Sequence, residues 1–182
     1  MNLSKFKSLS SKGFTLIELL VVIAVLGVLA SVVLVAINPA EQLARGRDSS
    51  RLQQVASLGH AVTAYYTAQQ GLPVADGSWQ DKLISVTGSG DIKAALDNTS
   101  MGGTPATCAP NGENGICYKQ NTLPDFFVWA GVESNLYKIK AGNGTACASG
   151  NIPAFIFDSK VGRAGVGCVN SGSGPASPQT LY

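Results

Sequence analysis

The sequence predicts an α+β fold, in which one long N-terminal helix packs on a small C-terminal antiparallel sheet. The first half of that helix is apolar and the second half amphipathic. Three observations predict this. No charged residue interrupts the run from Leu19 to Ile37. A helical pattern then continues past Pro39 to Gln70. Beyond it, short apolar runs of strand length alternate with Gly-rich turns.

Size and charge narrow the function. The chain has 182 residues, 13% of them charged, with a formal net charge of +2. That suits one medium domain plus a membrane segment. So weak a charge balance gives no electrostatic case for nucleic acid or for an acidic substrate. No nucleophile elbow, phosphate loop or HExxH pattern accompanies the single histidine, His60. His60 therefore reads as a surface or partly packed helix residue. No catalytic residue and no cofactor are expected.

The apolar segment comes first. Its 19 residues Leu19–Ile37 span roughly 28 Å as a helix, close to the hydrocarbon thickness of a bilayer. Lys5, Lys7 and Lys12 precede it without an acid, so the N-terminus stays cytoplasmic and the rest is exported. A cleaved secretory signal is one reading, with Leu34–Ala36 as a small-residue cleavage site. The run is too long for that, since such cores usually span ~7–15 residues. A plain anchor explains the length but not Glu18. A charge at the bilayer centre costs about 2.5–3.5 kcal/mol, and somewhat less near the interface.

The stretch KGFTLIELLVVIAVLGVLA accounts for all of these features. It closely resembles the class III signal of type IV prepilins and related pseudopilins. The motif resemblance covers residues 1 to roughly 45, and the helix-then-sheet order extends it loosely to the rest. It implies a leader, residues 1–13, cut between Gly13 and Phe14 on the cytoplasmic side. The same peptidase would methylate the new N-terminus at Phe14. Glu18 becomes the fifth residue of the mature chain, where the family places its glutamate. The resemblance implies that Glu18 meets the Phe14 amine of a neighbouring subunit during assembly. Opposite charges attract strongly in an apolar medium, and either is costly alone. The rival is a Glu18 that snorkels to the headgroups or is protonated.

The filament-core helix is expected over residues 14–38 and an amphipathic helix over 39–71. In filaments of the family, helicity can be lost between a mid-helix glycine and a proline. Gly27 and Pro39 match those positions, Pro39 a few residues late. An ordinary kink, or a cap and restart at Asn38-Pro39, is the alternative. Beyond Pro39, Leu52, Val55, Gly59, Val62 and Tyr66 form one apolar stripe. Arg45, Arg47, Asp48 and Arg51 are assigned to the opposite face, with local pairs around Asp48 or contacts to the next subunit. Gly71 and Pro73 stop the helix.

The C-terminal domain, residues 72–182, is expected to be irregular to about residue 125, with short helices near Trp79–Ser85 and Asp91–Asp97. PDFFVWAGVE and LYKIKAG read as a hairpin turning at Ser134-Asn135, with Tyr137 and Ile139 alternating against Lys138 and Lys140. PAFIFDSKVG and VGCVN add strands, and the tail SGSGPASPQTLY reads as mobile. Phe126, Phe127, Trp129, Tyr137, Phe155 and Phe157 are expected in the core. Four cysteines, Cys108, Cys117, Cys147 and Cys168, sit beyond the membrane segment. An even count there favours two disulfides over free thiols. Three connectivities are open. Cys108–Cys117 and Cys147–Cys168 are favoured because each pair brackets one Gly-rich loop. Asp125, Glu133 and Asp158 are a weak calcium candidate, since their spacing fits no EF-hand loop. No metal ligand is assigned.

The expected function is a structural subunit, not an enzyme. It waits in the inner membrane as a precursor and then assembles into a helical pilus that serves adhesion, motility or DNA uptake. The implied partners are a prepilin peptidase, an inner-membrane platform protein, an assembly ATPase and other copies of the chain. The alternative within the family is a pseudopilin of a type II secretion system. The rival class is a membrane-anchored exported enzyme or binding domain.

Overall fold

A computed structural model of the chain describes residues 13–76, 78–84, 92–94, 96, 112–113, 115–142, 144–145, 147–170, 173–175 and 180–182. The chain divides into two units, Met1–Pro39 and Ala40–Tyr182.

The first unit contains helix α1, Leu16–Ile37, in which no residue is buried. It is long and apolar enough to cross a membrane. The helix runs through Gly27 without interruption. It ends at Asn38, which adopts a left-handed conformation with φ 47°. Asparagine tolerates that region better than most residues. Pro39 then opens helix α2, Pro39–Gln69, at a position where its missing N–H costs nothing. The two helices therefore meet as a cap and a restart.

The second unit is α2 against a five-stranded antiparallel sheet of order β1-β2-β3-β4-β5. The strands are β1 Gly112–Glu113, β2 Ile116–Gln120, β3 Phe126–Gly131, β4 Asn151–Asp158 and β5 Arg163–Asn170. A short helix, α3 Asn135–Ala141, sits between β3 and β4. The sheet is buried on both faces, so its strands read as continuous apolar runs rather than alternating ones. Tyr118, Phe126, Val128, Phe155 and Phe157 face α2, where Val55, Leu58, Ala61 and Val62 meet them. Cys117, Phe127, Trp129 and Ile156 face the other way, under Leu181. Phe126 stacks on Phe157 at 5.9 Å and Trp79 on Tyr118 at 4.8 Å.

Several expectations change. LYKIKAG is not the second arm of a hairpin but helix α3. Ser134 caps it, accepting a bond from the Tyr137 amide. The inward positions are Ser134, Tyr137 and Ala141, spaced by three and four, while Ile139 stays exposed. Residues 116–120, inside the stretch read as irregular, form strand β2, paired to β3 from Ile116↔Ala130 to Gln120↔Phe126. A 3-10 turn, Asp81–Leu83, lies within the first short helix expected. The second is not helical where it is described, since Ile92 bridges Ile84. The tail is not free at its last residues: Leu181 is buried, and Tyr182 exchanges two backbone hydrogen bonds with Val166 of β5. Asp48 and Arg51 are not on the exposed face of α2; both are buried.

Cys147 is bonded to Cys168, with Cα atoms 5.7 Å apart. Cys117 is buried in β2 and disulfide-bonded. Cys108 lies outside the described residues.

Gly59 sets how closely α2 approaches the sheet. A Cβ there would fall 2.1 Å from the Phe157 ring, whereas one at Gly46 of the same helix would meet nothing within 4 Å. The two glycines should respond in opposite ways. Gly46→Ala should raise stability by up to about 1 kcal/mol, the helix-propensity gain. Gly59→Ala should lower it, because overpacking costs about 1–3 kcal/mol and outweighs that gain. Urea midpoints of the detergent-solubilised chain decide the matter. Equal gains at both positions would contradict the close approach.

Candidate functional site

The residues singled out for processing lie just before α1. Gly13 and Phe14 are exposed and non-helical, and Phe14 is 88% accessible. Among the described residues, a Cβ at Gly13 would meet nothing within 4 Å. Packing among the described residues therefore does not demand glycine there. The same holds at Gly27.

The helix start explains why the exposed segment stops where it does. Thr15 is the N-cap, in extended conformation, and its hydroxyl oxygen accepts from the Glu18 amide at 3.3 Å. Glu18 reaches back: its Oε2 accepts from the Thr15 amide at 2.9 Å and from the Thr15 hydroxyl at 2.7 Å. Together these form a capping box. Thr15 was not singled out from the sequence, although the T-x-x-E spacing of Thr15 and Glu18 is a legible signal for it. Glu18 thus has a local partner inside one chain. Phe14 stands one position ahead of that cap, exposed.

A second polar constellation sits where α2 meets the β3–α3 corner. The Asp48 carboxylate is fully buried. It accepts from the Ser134 amide at 2.7 Å, from the Glu133 amide at 3.0 and 3.2 Å, and from Arg51 Nη1 at 2.8 Å. Arg51 also pairs with Glu133 at 3.2 Å, and Arg47 forks onto the same carboxylate. Arg45 pairs instead with Glu41, one turn earlier. Glu41 accepts from the Asn135 and Leu136 amides at 3.2 and 3.3 Å, at the first turn of α3. Acidic side chains of α2 thus satisfy the free amides entering α3.

These contacts make the fold sensitive to acid. The hydrogen bond from Arg47, with the charges of Arg47 and Arg51, holds the Glu133 carboxyl below its ordinary value. The amide of Asn135, then that of Leu136, does the same for Glu41. A depressed folded pKa contributes stability above the unfolded value, roughly 4.3, and that stability is lost as pH falls through the folded value. Unfolding midpoints should therefore be flat near neutrality and fall below about pH 4.3. Glu133→Gln should flatten part of that fall. An unchanged acid limb in Glu133→Gln would remove Glu133 from the account.

The three carboxylates weighed for calcium are each engaged elsewhere. Asp125 pairs with Lys160 at 2.9 Å, Glu133 with Arg47 and Arg51, and Asp158 accepts from the Lys160 amide at 2.9 Å. Among the described residues no group of three or more His, Cys, Asp or Glu is arranged to hold a metal. His60 is exposed on α2, its ring edge against Phe157 at 5.2 Å.

Residues 9–34 match the prokaryotic N-terminal methylation motif. That motif is the signature of the prepilin-type signal of type IV pilins and pseudopilins. Neither a curated protein nor a solved structure matches the chain. The motif and the wholly unburied apolar helix behind it fit a membrane-anchored precursor.

Proposed function

We propose that the chain is a structural subunit of a type IV pilus-like filament. It is inserted in the inner membrane as a precursor, cut between Gly13 and Phe14, N-methylated at Phe14 and assembled through its N-terminal helix. One observation carries this reading: the methylation motif at residues 9–34 coincides with exposed backbone leading into a capped helix that buries none of its apolar surface. Such a helix can be satisfied first by lipid and then by copies of itself.

Cleavage leaves a cationic amine on Phe14, four residues from Glu18. A neighbouring subunit's amine then competes with Thr15 for the Glu18 carboxylate. In this reading the peptidase sets the requirement for glycine at Gly13, and neighbouring helices set it at Gly27. The apolar run between Gly27 and Pro39 is then the segment that can lose helicity on assembly. A platform protein and a cytoplasmic ATPase would drive that assembly. A pseudopilin of a type II secretion system shares the same motif and is the second reading.

Intact-mass analysis of sheared fibres tests the proposal. Chains should begin at N-methyl-Phe14 and lack residues 1–13. Fibre chains that keep Met1–Gly13, or begin at Ile37, would refute it and favour an ordinary anchor or a cleaved secretory signal.

A further inference from the structure

We infer that, in the membrane-held chain, the outward face of α3 rests on the anionic headgroup surface of the bilayer that α1 spans. The inference rests on the membrane-span reading above and adds a lipid contact to it.

The face is defined by what α3 buries. Tyr137 packs edge-on against Phe155 at 5.1 Å, and Ala141 is 3% exposed. At about 100° per residue, Ile139 then lies opposite them, with Leu136 beside it. Lys138 and Lys140 fall on the two flanks. Leu136 is 48% and Ile139 53% accessible, and both lysines are exposed. No acidic residue lies on α3. An exposed leucine or isoleucine alone means little. An apolar ridge with a lysine on each side is the pattern of an interfacial helix. Its stems lie along apolar surface while the ammonium groups reach phosphate.

Chain length says what covers this ridge. The Asn135 and Leu136 amides bond to the Glu41 carboxylate, which ties the first turn of α3 to the first turn of α2. Glu41 follows Ile37, the last residue of the span, by four positions. Four residues reach at most about 14 Å even when fully extended. The α3 ridge is therefore held within a short reach of the headgroups whatever direction α2 takes. Each lysine near an anionic surface contributes on the order of 1 kcal/mol, an attraction that salt screens.

The experiment uses the full chain reconstituted in vesicles, with Ile139→Trp as reporter and dibrominated phosphatidylcholine as quencher. The parent chain, whose Trp79 and Trp129 are buried, supplies the background. In vesicles containing about a third phosphatidylglycerol, the added indole should lose emission roughly twofold relative to zwitterionic vesicles. High salt, or Lys138→Glu with Lys140→Glu, should abolish the difference. Emission unaffected by brominated lipid would overturn the inference. So would quenching that ignores phosphatidylglycerol content. A signal that follows the density of chains in the vesicle would assign the ridge to a second copy instead, and would also overturn it. Release of the chain from vesicles by alkaline carbonate is a separate failure: it would remove the membrane span itself, and this contact with it.

Discussion

Glu18→Leu chains will insert into the membrane and keep a folded C-terminal unit, yet sheared filaments will be lost. Insertion should improve slightly, because the substitution removes a charge from the apolar segment. Filament yield, normalised to membrane-held precursor, should fall roughly tenfold or more, since breaking an ion pair in an apolar medium costs about 3–5 kcal/mol. The capping box complicates the reading, because Leu also removes the back-bond to Thr15. Glu18→Gln separates the two roles. A glutamine oxygen can still accept from the Thr15 amide, so the cap survives while the charge does not. If pairing with the Phe14 amine is the requirement, Glu18→Gln fails with Glu18→Leu, and Glu18→Asp is intermediate. Normal filaments from correctly cleaved Glu18→Gln chains would refute the pairing and leave Glu18 as a capping residue.

The second large effect is on folding. Asp48→Ala should destabilise the C-terminal unit by about 3–5 kcal/mol, because it strands the Ser134 amide and removes a carboxylate beside buried Arg51. That is a large part of the ~5–15 kcal/mol total typical of a domain. Replacing both partners together, Asp48→Leu with Arg51→Met, should cost less than the two single changes added, since neither charge is then left without the other. Urea unfolding of the four chains forms the cycle. A cost below about 1 kcal/mol for Asp48→Ala would show that the cluster is solvated rather than buried.

Much of the fold was legible because its signals are periodic. Leu52, Val55, Gly59, Val62 and Tyr66 recur at helical spacing, and the first four do pack on the core, where Tyr65 joins them in place of Tyr66. The stripe continues backward through Arg51 and Asp48, and there the pattern misled. Charged residues default to the surface; the expected local pair does form, Arg51 on Asp48 at 2.8 Å, but the groups that complete their burial lie more than eighty positions away, at Glu133 and Ser134. No local signal announces such a partner. The α3 segment failed for a different reason. Four alternating residues, Tyr137 to Lys140, fit a strand and a short helix alike, and the deciding feature was the capping serine before them. At the N-terminal site, Glu18 stood out by its charge, whereas Thr15 is ordinary until its spacing from Glu18 is noticed. The last residues misled by composition. Gly, Ser and Pro dominate the tail, and only Leu181 hints that it docks.

That docking has a consequence for crowding. A precursor held in a membrane shares a plane with many copies of itself, and confinement raises the rate at which like surfaces collide. An open sheet edge is hazardous there, since its unpaired amides and carbonyls can template growth from one molecule to the next. On β5 the edge-facing amide and carbonyl of Val166 are already taken by Tyr182, at 3.2 and 3.0 Å, and Leu181 closes the face beneath. At Val166, Tyr182 therefore occupies the edge groups through which a strand of another molecule would otherwise pair.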